Sequence, residues 1–237
     1  MVPVENDKKG VTLAVTASLL SSQLLPPFII DTGSFGADLM TSWSNYTKSI
    51  VIFNKSHWMT QYAFIIYLDW LLKMFPCQRS LLIVDRSKTH FGKIITDWLE
   101  TNHSSPGPGK VFLVYILEGM TSIHQVCDIA LNKPLKAAIK KLFYYFRQKA
   151  IADKTARELV GCALTVPRED LVGMIETAFD EINLGNKPRR WIAAAFATCG
   201  QDPWSANLDS FEKHLASLNE NARYLNMQES TSQLKLT

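Results

Sequence analysis

Two aspartates sit at the ends of the chain's most apolar short runs, where they could do chemistry. Asp85 closes Leu81–Asp85 (LLIVD), and Asp128 follows Val111–Leu117 (VFLVYIL) at the head of the next helical stretch. In parallel sheets functional side chains converge at the carboxyl ends of the strands, and two acids there are hard oxygen donors suited to magnesium or manganese. A strand-end aspartate also commonly caps the helix that follows, so spacing alone leaves both readings open. His90 and His124 flank the acids, where each could orient a water or meet a phosphate. A partly buried, hydrogen-bonding histidine is the plainer reading, and the one preferred for His124. Lys110 follows a Pro-Gly-Pro-Gly run, but a phosphate loop of the Walker type needs its glycine spacing and a following Ser or Thr, and Val111 stands there instead.

The acids need strands to hold them. Val11–Ala17 (VTLAVTA) alternates apolar and small polar residues, and Pro27–Asp31 (PFIID) is a second β-branched run after a polar turn, so the two predict a hairpin. Thr32–Ser49 is rich in Gly, Ser, Thr and Asn and reads as a loop before a short strand at Ile50–Phe53. Gln61–Met74 has helical spacing. LLIVD is continuously apolar, the pattern of a central strand buried on both faces. Phe91–Glu100 predicts a helix, His103–Gly109 a loop, and Val111–Leu117 another buried strand. Strand, helix, strand, helix in this order implies a parallel crossover unit beside the antiparallel hairpin. From Asn132 the pattern is helical, with Asn132 as a cap, Pro134 in the first turn, and Leu135, Ile139, Leu142, Phe143 and Phe146 on one face. Pro167–Ile182 and Arg190–Thr198 predict further helices, and the last ten residues are polar and expected to fray.

Composition sets broad bounds. Apolar residues make up 47% and charged residues 20% of the 237, which excludes wholesale disorder and fibrous repeats. A net charge of +3 decides nothing by itself. Cys77, Cys127, Cys162 and Cys199 lack paired spacing, so they read as reduced thiols rather than as zinc ligands. The start of the chain is charged rather than apolar, and Tyr62–Leu72, interrupted by Asp69, falls well under the ~20 apolar residues of a membrane span. An intracellular protein with no membrane segment is expected.

The wording around the two acids carries a resemblance. LLIVDRSKTH resembles the second-aspartate block of DDE transposases of the pogo, Tigger and jerky kind, in which His follows the strand-end Asp by five positions. GMTSIHQVCDIALNKPLK resembles their third block, where a Thr-Ser turn leads to Gln, then the third Asp, then a helix start like NKPLK. KKGVTLAVTAS with LPPFII, NKSHWMTQ with YLDWL, and WIAAAFATCG are similar to other parts of the same domain, so the likeness spans most of residues 8 to 200. It implies an α/β fold, RNase H-like, with a mixed sheet flanked by helices over 8–150 and a helical C-terminal region with a polar tail over 151–237. It also implies catalytic, metal-holding roles for Asp85 and Asp128, auxiliary roles for His90 and Gln125, magnesium or manganese as cofactor, DNA as partner, and the nucleus as location.

The resemblance equally implies something missing. The family's first catalytic aspartate lies on a strand upstream of the VTLAV-type strand, and here ten residues precede Val11, with neither Glu5 nor Asp7 at the end of an apolar run. The chain is therefore expected to lack that acid and to be catalytically inactive. Asp31 is rejected as a substitute, because after an antiparallel reversal it falls at the opposite edge from Asp85, and an exposed Asp before Thr-Gly is an ordinary turn residue. Val126 stands where the family commonly has Pro, and Arg86 where it often has Asn. Arg86 beside a metal site would compete for the carboxylate of Asp85.

The helix after Asp128 carries Lys133, Lys136, Lys140, Lys141, Arg147 and Lys149 among Phe143, Tyr144, Tyr145 and Phe146. Such a row of cations binds phosphates without reading bases; the bland alternative is a solvated face of an amphipathic helix. A DNA-binding, inactive DDE domain is the leading expectation. An active metal-dependent endonuclease, or an adaptor making protein contacts or self-associating through its C-terminal helices, are the alternatives.

Overall fold

The computed structural model describes residues 10–32, 48–152, 166–186, 190–204 and 209–218. Its first strands are β1 (Thr12–Ala14), β2 (Ala17–Ser18), β3 (Gln23–Leu24) and β4 (Phe28–Thr32). They form the predicted hairpin, but broken in two: β1 runs antiparallel to β4, and β2 to β3. Pro26 and Pro27 fall in the break, and without N–H groups they cannot continue a ladder. Leu25 N–H bridges the gap by donating to Thr16 O at 2.8 Å. On its other side β4 pairs in parallel with β5 (Ile50–Asn54), from Phe28↔Ile50 to Thr32↔Asn54. Thr32 thus belongs to a strand, and the rest of the predicted Thr32–Ser49 loop lies outside the described residues over 33–47.

The second sheet is the crossover unit. β6 (Arg79–Asp85) and β7 (Lys110–Ile116) pair in parallel over seven residues, from Arg79↔Lys110 to Asp85↔Ile116, as the apolar runs predicted. Burial on both faces was expected and is not found. Leu82, Val84, Val111 and Leu113 join a core, whereas Leu81 is 64% exposed and Phe112 and Val114 lie in the open on the opposite face. The helices α1 (Gln61–Met74) and α2 (Lys93–Ser104) cover one face only, and apolarity along a run cannot say how many faces will be covered. Gly109 is needed where β7 begins, since a Cβ there would stand 2.6 Å from Pro76 O.

α1 has the predicted bounds. Thr60 caps it by accepting from Ala63 N–H, and Ala63, Phe64, Tyr67, Leu68, Trp70 and Leu71 form its buried face. After β7 come a helical turn α3 (Thr121–His124), a π-helical turn Cys127–Leu131, α4 (Asn132–Ala152), α5 (Arg168–Asn186), α6 (Trp191–Thr198), and a last helix, α7, over 209–218. Asn132 is not the cap the sequence predicts: the π turn runs directly into α4, and Asn132 has helical angles. Pro134 explains the widened turn, because it has no N–H for the regular ladder and its ring crowds the carbonyl four residues back. Residues 153–165 and the polar end over 219–237 lie outside the described residues.

Side chains alternate across β4 and divide the core. Ile29 points to a cluster with Leu131, Leu135, Val172, Ile175, Phe179 and Ile192, drawn from the π turn, α4, α5 and α6. Phe28 and Ile30 point the other way, to Phe64, Tyr67, Leu68 and Ile95 of α1 and α2. The result is a mixed α/β fold whose strands are joined in separate hydrogen-bonded groups.

Candidate functional site

Asp85 is the last residue of β6, so a seven-residue ladder fixes its backbone. The chain then winds back on itself. His90 N–H donates to Ser87 O at 2.9 Å, Thr89 N–H to Ser87 Oγ at 3.2 Å, and the His90 ring returns to Asp85. Its Nδ1 lies 2.9 Å from Asp85 Oδ1 and 3.1 Å from the Asp85 carbonyl, with the two side chains 18% and 36% exposed. The loop is pinned from outside itself. Gln61 Nε2 donates to Lys88 O at 3.0 Å and to Phe91 O at 2.9 Å, Tyr115 O–H donates to His90 O at 3.0 Å, and the His90 ring packs 4.6 Å from Phe64. Gly92 (φ 142°) makes room, since a Cβ would stand 2.7 Å from Gln61 Nε2. Partial burial pushes the Tyr115 hydroxyl pKa up, which keeps it a proton donor. Arg86 is exposed and lies over the Phe91 ring at 5.6 Å, so in this structure the basic group against the Asp85 carboxylate is the ring of His90.

Asp128 lies in the π turn and is exposed. Asn132 Nδ2 donates to its Oδ1 at 2.6 Å, one turn along the helix. The turn is fastened to the hairpin by Cys127, whose Sγ–H donates to Val15 O at 3.4 Å; burial, helped by the charge of Asp128, pushes this thiol up to about 12, so it remains protonated. Asp85, His90, Gln125 and Asn132 all line one cavity of about 380 Å³, and Asp128 reaches that lining through Asn132. Gln125 has its Oε1 buried there without a hydrogen-bond partner.

The remaining candidates resolve into structural roles. His124 Nδ1 is 3.1 Å from Cys199 O and its ring faces Phe211, so it ties α3 to the C-terminal helices. Lys110 Nζ donates to Asn102 O and Ser105 O, both at 2.7 Å, and so caps the end of α2. Asp31 is 2% exposed inside β4, not the exposed turn residue expected, and accepts from Thr32 N–H. Cys77, Cys127 and Cys199 are free thiols, and Cys162 lies outside the described residues. The positioning roles of Gln61, Tyr115 and Asn132 were missed from sequence. The hydroxyl of Tyr115 within the otherwise apolar run VFLVYIL was the one available signal.

Two acids are a thin donor set for divalent cations. Among the described residues no three of His, Cys, Asp and Glu gather around a common point, the Asp85 carboxylate is engaged by His90, and that of Asp128 by Asn132. These donors do not fit a pair of magnesium or manganese ions, which needs carboxylates converging from several sides.

α4 presents the predicted cations. Lys133, Lys136, Lys140, Lys141, Arg147 and Lys149 are all exposed, while Leu135, Ala138, Ile139 and Leu142 face the core. Separations of three, four and seven set Lys133, Lys136, Lys140 and Arg147 on one stripe with Tyr144. Lys140 lies 5.8 Å from the Tyr144 ring and Arg147 5.7 Å from that of Phe143, contacts that hold the cations along the helix. No helix among the described residues is long and apolar enough to cross a membrane.

Comparison with known proteins gives the family. A family model described as DDE superfamily endonuclease matches residues 8–186, while no curated protein and no solved structure matches the chain. Because that match takes in both aspartate blocks, the hairpin and α4, and covers well over half of the 237 residues, the chain belongs to the DDE superfamily endonuclease family.

Proposed function

We propose that this chain is a nucleic-acid-binding DDE domain that grips DNA through α4 and does not cut it. The observation that carries the reading is the exposed stripe on α4, which continues without a break from the turn bearing Asp128. From Lys133 to Arg147 the stripe covers about 21 Å of helix axis, close to the length of about six base pairs. Cations so spaced meet successive phosphates and release counterions, which gives affinity without base reading. The nucleus is the location that goes with this reading.

Cleavage is a separate matter. Metal-assisted phosphodiester cleavage needs cations held on the attacking and leaving oxygens, and among the described residues no three of His, Cys, Asp and Glu gather to hold them. Magnesium or manganese, when bound, would activate water and neutralise charge on the phosphate. This chain's own contribution is narrower: the His90–Asp85 pair supplies a ring nitrogen and a carboxylate at the cavity wall, and α4 supplies positive charge nearby.

The test is a binding titration on duplex DNA of two unrelated sequences at several salt concentrations. Equal affinity for both is expected, with a logarithmic salt slope of roughly −2.7 if three cations contact phosphates, from about −0.9 for each. The triple substitution Lys136→Glu, Lys140→Glu and Lys141→Glu should abolish binding. Unchanged affinity and slope in that variant would mean a merely solvated face. The same samples incubated with magnesium or manganese should leave supercoiled DNA intact, and nicking that disappears in Asp85→Ala would overturn the inactive half of the proposal.

A further inference from the structure

We propose that the lip beside Asp85 is a stacking platform for unpaired nucleotides, separate from the basic face of α4. Three aromatic side chains stand in the open there: Trp58, 66% exposed, Tyr62, 69% exposed, and Phe91. None of them belongs to either core cluster. Trp58 lies in the lead into α1, Tyr62 in its first turn, and Phe91 in the loop that follows β6. Gln61 draws these segments together, since its Nε2 donates to both Lys88 O and Phe91 O, and Asn54 Nδ2 reaches Trp58 O and Thr60 Oγ1.

The charge around the rings has one sign. Lys55, Arg86 and Lys88 are exposed, no carboxylate occurs over 54–62 or 86–92, and that of neighbouring Asp85 is met by His90. Two of the rings are also held from beside. The His57 ring lies 4.9 Å from that of Trp58, and the Arg86 guanidinium 5.6 Å from that of Phe91.

These features together dictate the ligand. Apolar rings in water gain by being covered, and rings set among cations suit a polyanion that carries flat π faces of its own. Inside a duplex the base faces are already covered by their neighbours, so only unpaired bases can be taken, and with little regard to sequence because every base has such a face. An acidic protein segment would meet the charges, but not with a flat ring at every step along its chain. This inference shares with the α4 reading only the premise that the chain meets nucleic acid, and the two surfaces can be removed separately.

The probe is an oligothymidylate of about ten nucleotides, set against an abasic sugar-phosphate strand of the same length and charge, each titrated onto the full chain. The oligothymidylate should bind more tightly by about tenfold for each base stacked. Trp58→Ala and Tyr62→Ala, both at exposed rings outside the cores, should each weaken it about tenfold and leave the abasic strand unchanged, while Trp58→Phe keeps most of the affinity. Arg86→Gln with Lys88→Gln should weaken both strands alike and flatten the logarithmic salt slope by about 1.4, from about 0.7 for each phosphate of a single strand. The variant with Lys136→Glu, Lys140→Glu and Lys141→Glu should lose duplex DNA and keep the preference for bases. Equal affinity of the wild type for the two strands would mean charge alone, and a preference that vanishes in the α4 variant would assign the bases to that helix. Binding of neither strand would leave the lip to a protein partner. Each of these three results overturns the proposal, whereas failure to bind duplex with the preference intact sinks the α4 reading alone.

Discussion

Asp85 and Asp128 are held in opposite ways. Asp85 ends a seven-residue parallel ladder, its carboxylate is met by His90, and the returning loop is pinned by Gln61 and Tyr115 from two other elements. Asp128 is exposed on a widened helical turn, and its carboxylate accepts from Asn132, on the next turn of the same helix. The first carboxylate is placed by tertiary structure and the second by local geometry. A side chain whose partner is itself pinned by distant elements has its position decided before any ligand arrives. One with a single local partner can turn toward a phosphate, a cation or solvent at small cost.

The comparison can be broken at several levels, beginning with the cores beneath the two acids. Leu68→Ala opens the core under β6 and α1, and Leu135→Ala the one under the π turn and α4; both leucines are fully buried, and each change should cost about 2 to 5 kcal/mol. β4 sends side chains to both clusters, so chemical denaturation should show one transition in either variant. Two transitions would mean that the acids belong to independently folding halves.

Next in size is His90→Ala. It removes the contacts to Asp85 and the packing on Phe64, and should cost about 1 to 2 kcal/mol by denaturant midpoint at constant slope. A loss below the error of the measurement would show that Asp85 is held by its ladder alone. Asn132→Ala should have the smallest effect, about 0.5 kcal/mol or less, because the bond it removes is exposed. If Asn132→Ala proved as damaging as His90→Ala, the contrast between the two sites would collapse.

Much of the scaffold was legible because its signals are local. α1 was readable from the spacing of Phe64, Tyr67, Leu68 and Leu71, and β6 and β7 from apolar runs bounded by polar residues. Lys133, Lys136, Lys140, Lys141 and Arg147 could be identified as an exposed row because helical periodicity alone puts them opposite Leu135 and Leu142. The fate of Asn132 was misread because capping and mid-helix asparagines look alike until the preceding turn is known, and that turn is widened ahead of Pro134.

By itself, then, the sequence determined the elements, the order strand, helix, strand, helix, the family-like blocks around both acids, and the basic face of α4, all of which follow from neighbours within a few turns or from recognisable wording. Tertiary structure alone decided the return of the His90 ring to Asp85, the exposure of Leu81 and Phe112, the buried Oε1 of Gln125, and the gathering of Trp58, Tyr62 and Phe91 on one lip. Each of these depends on groups brought together from distant parts of the chain or on which face a helix covers. Such pairings are set by the packing of the whole chain, and no local pattern of residue types records them.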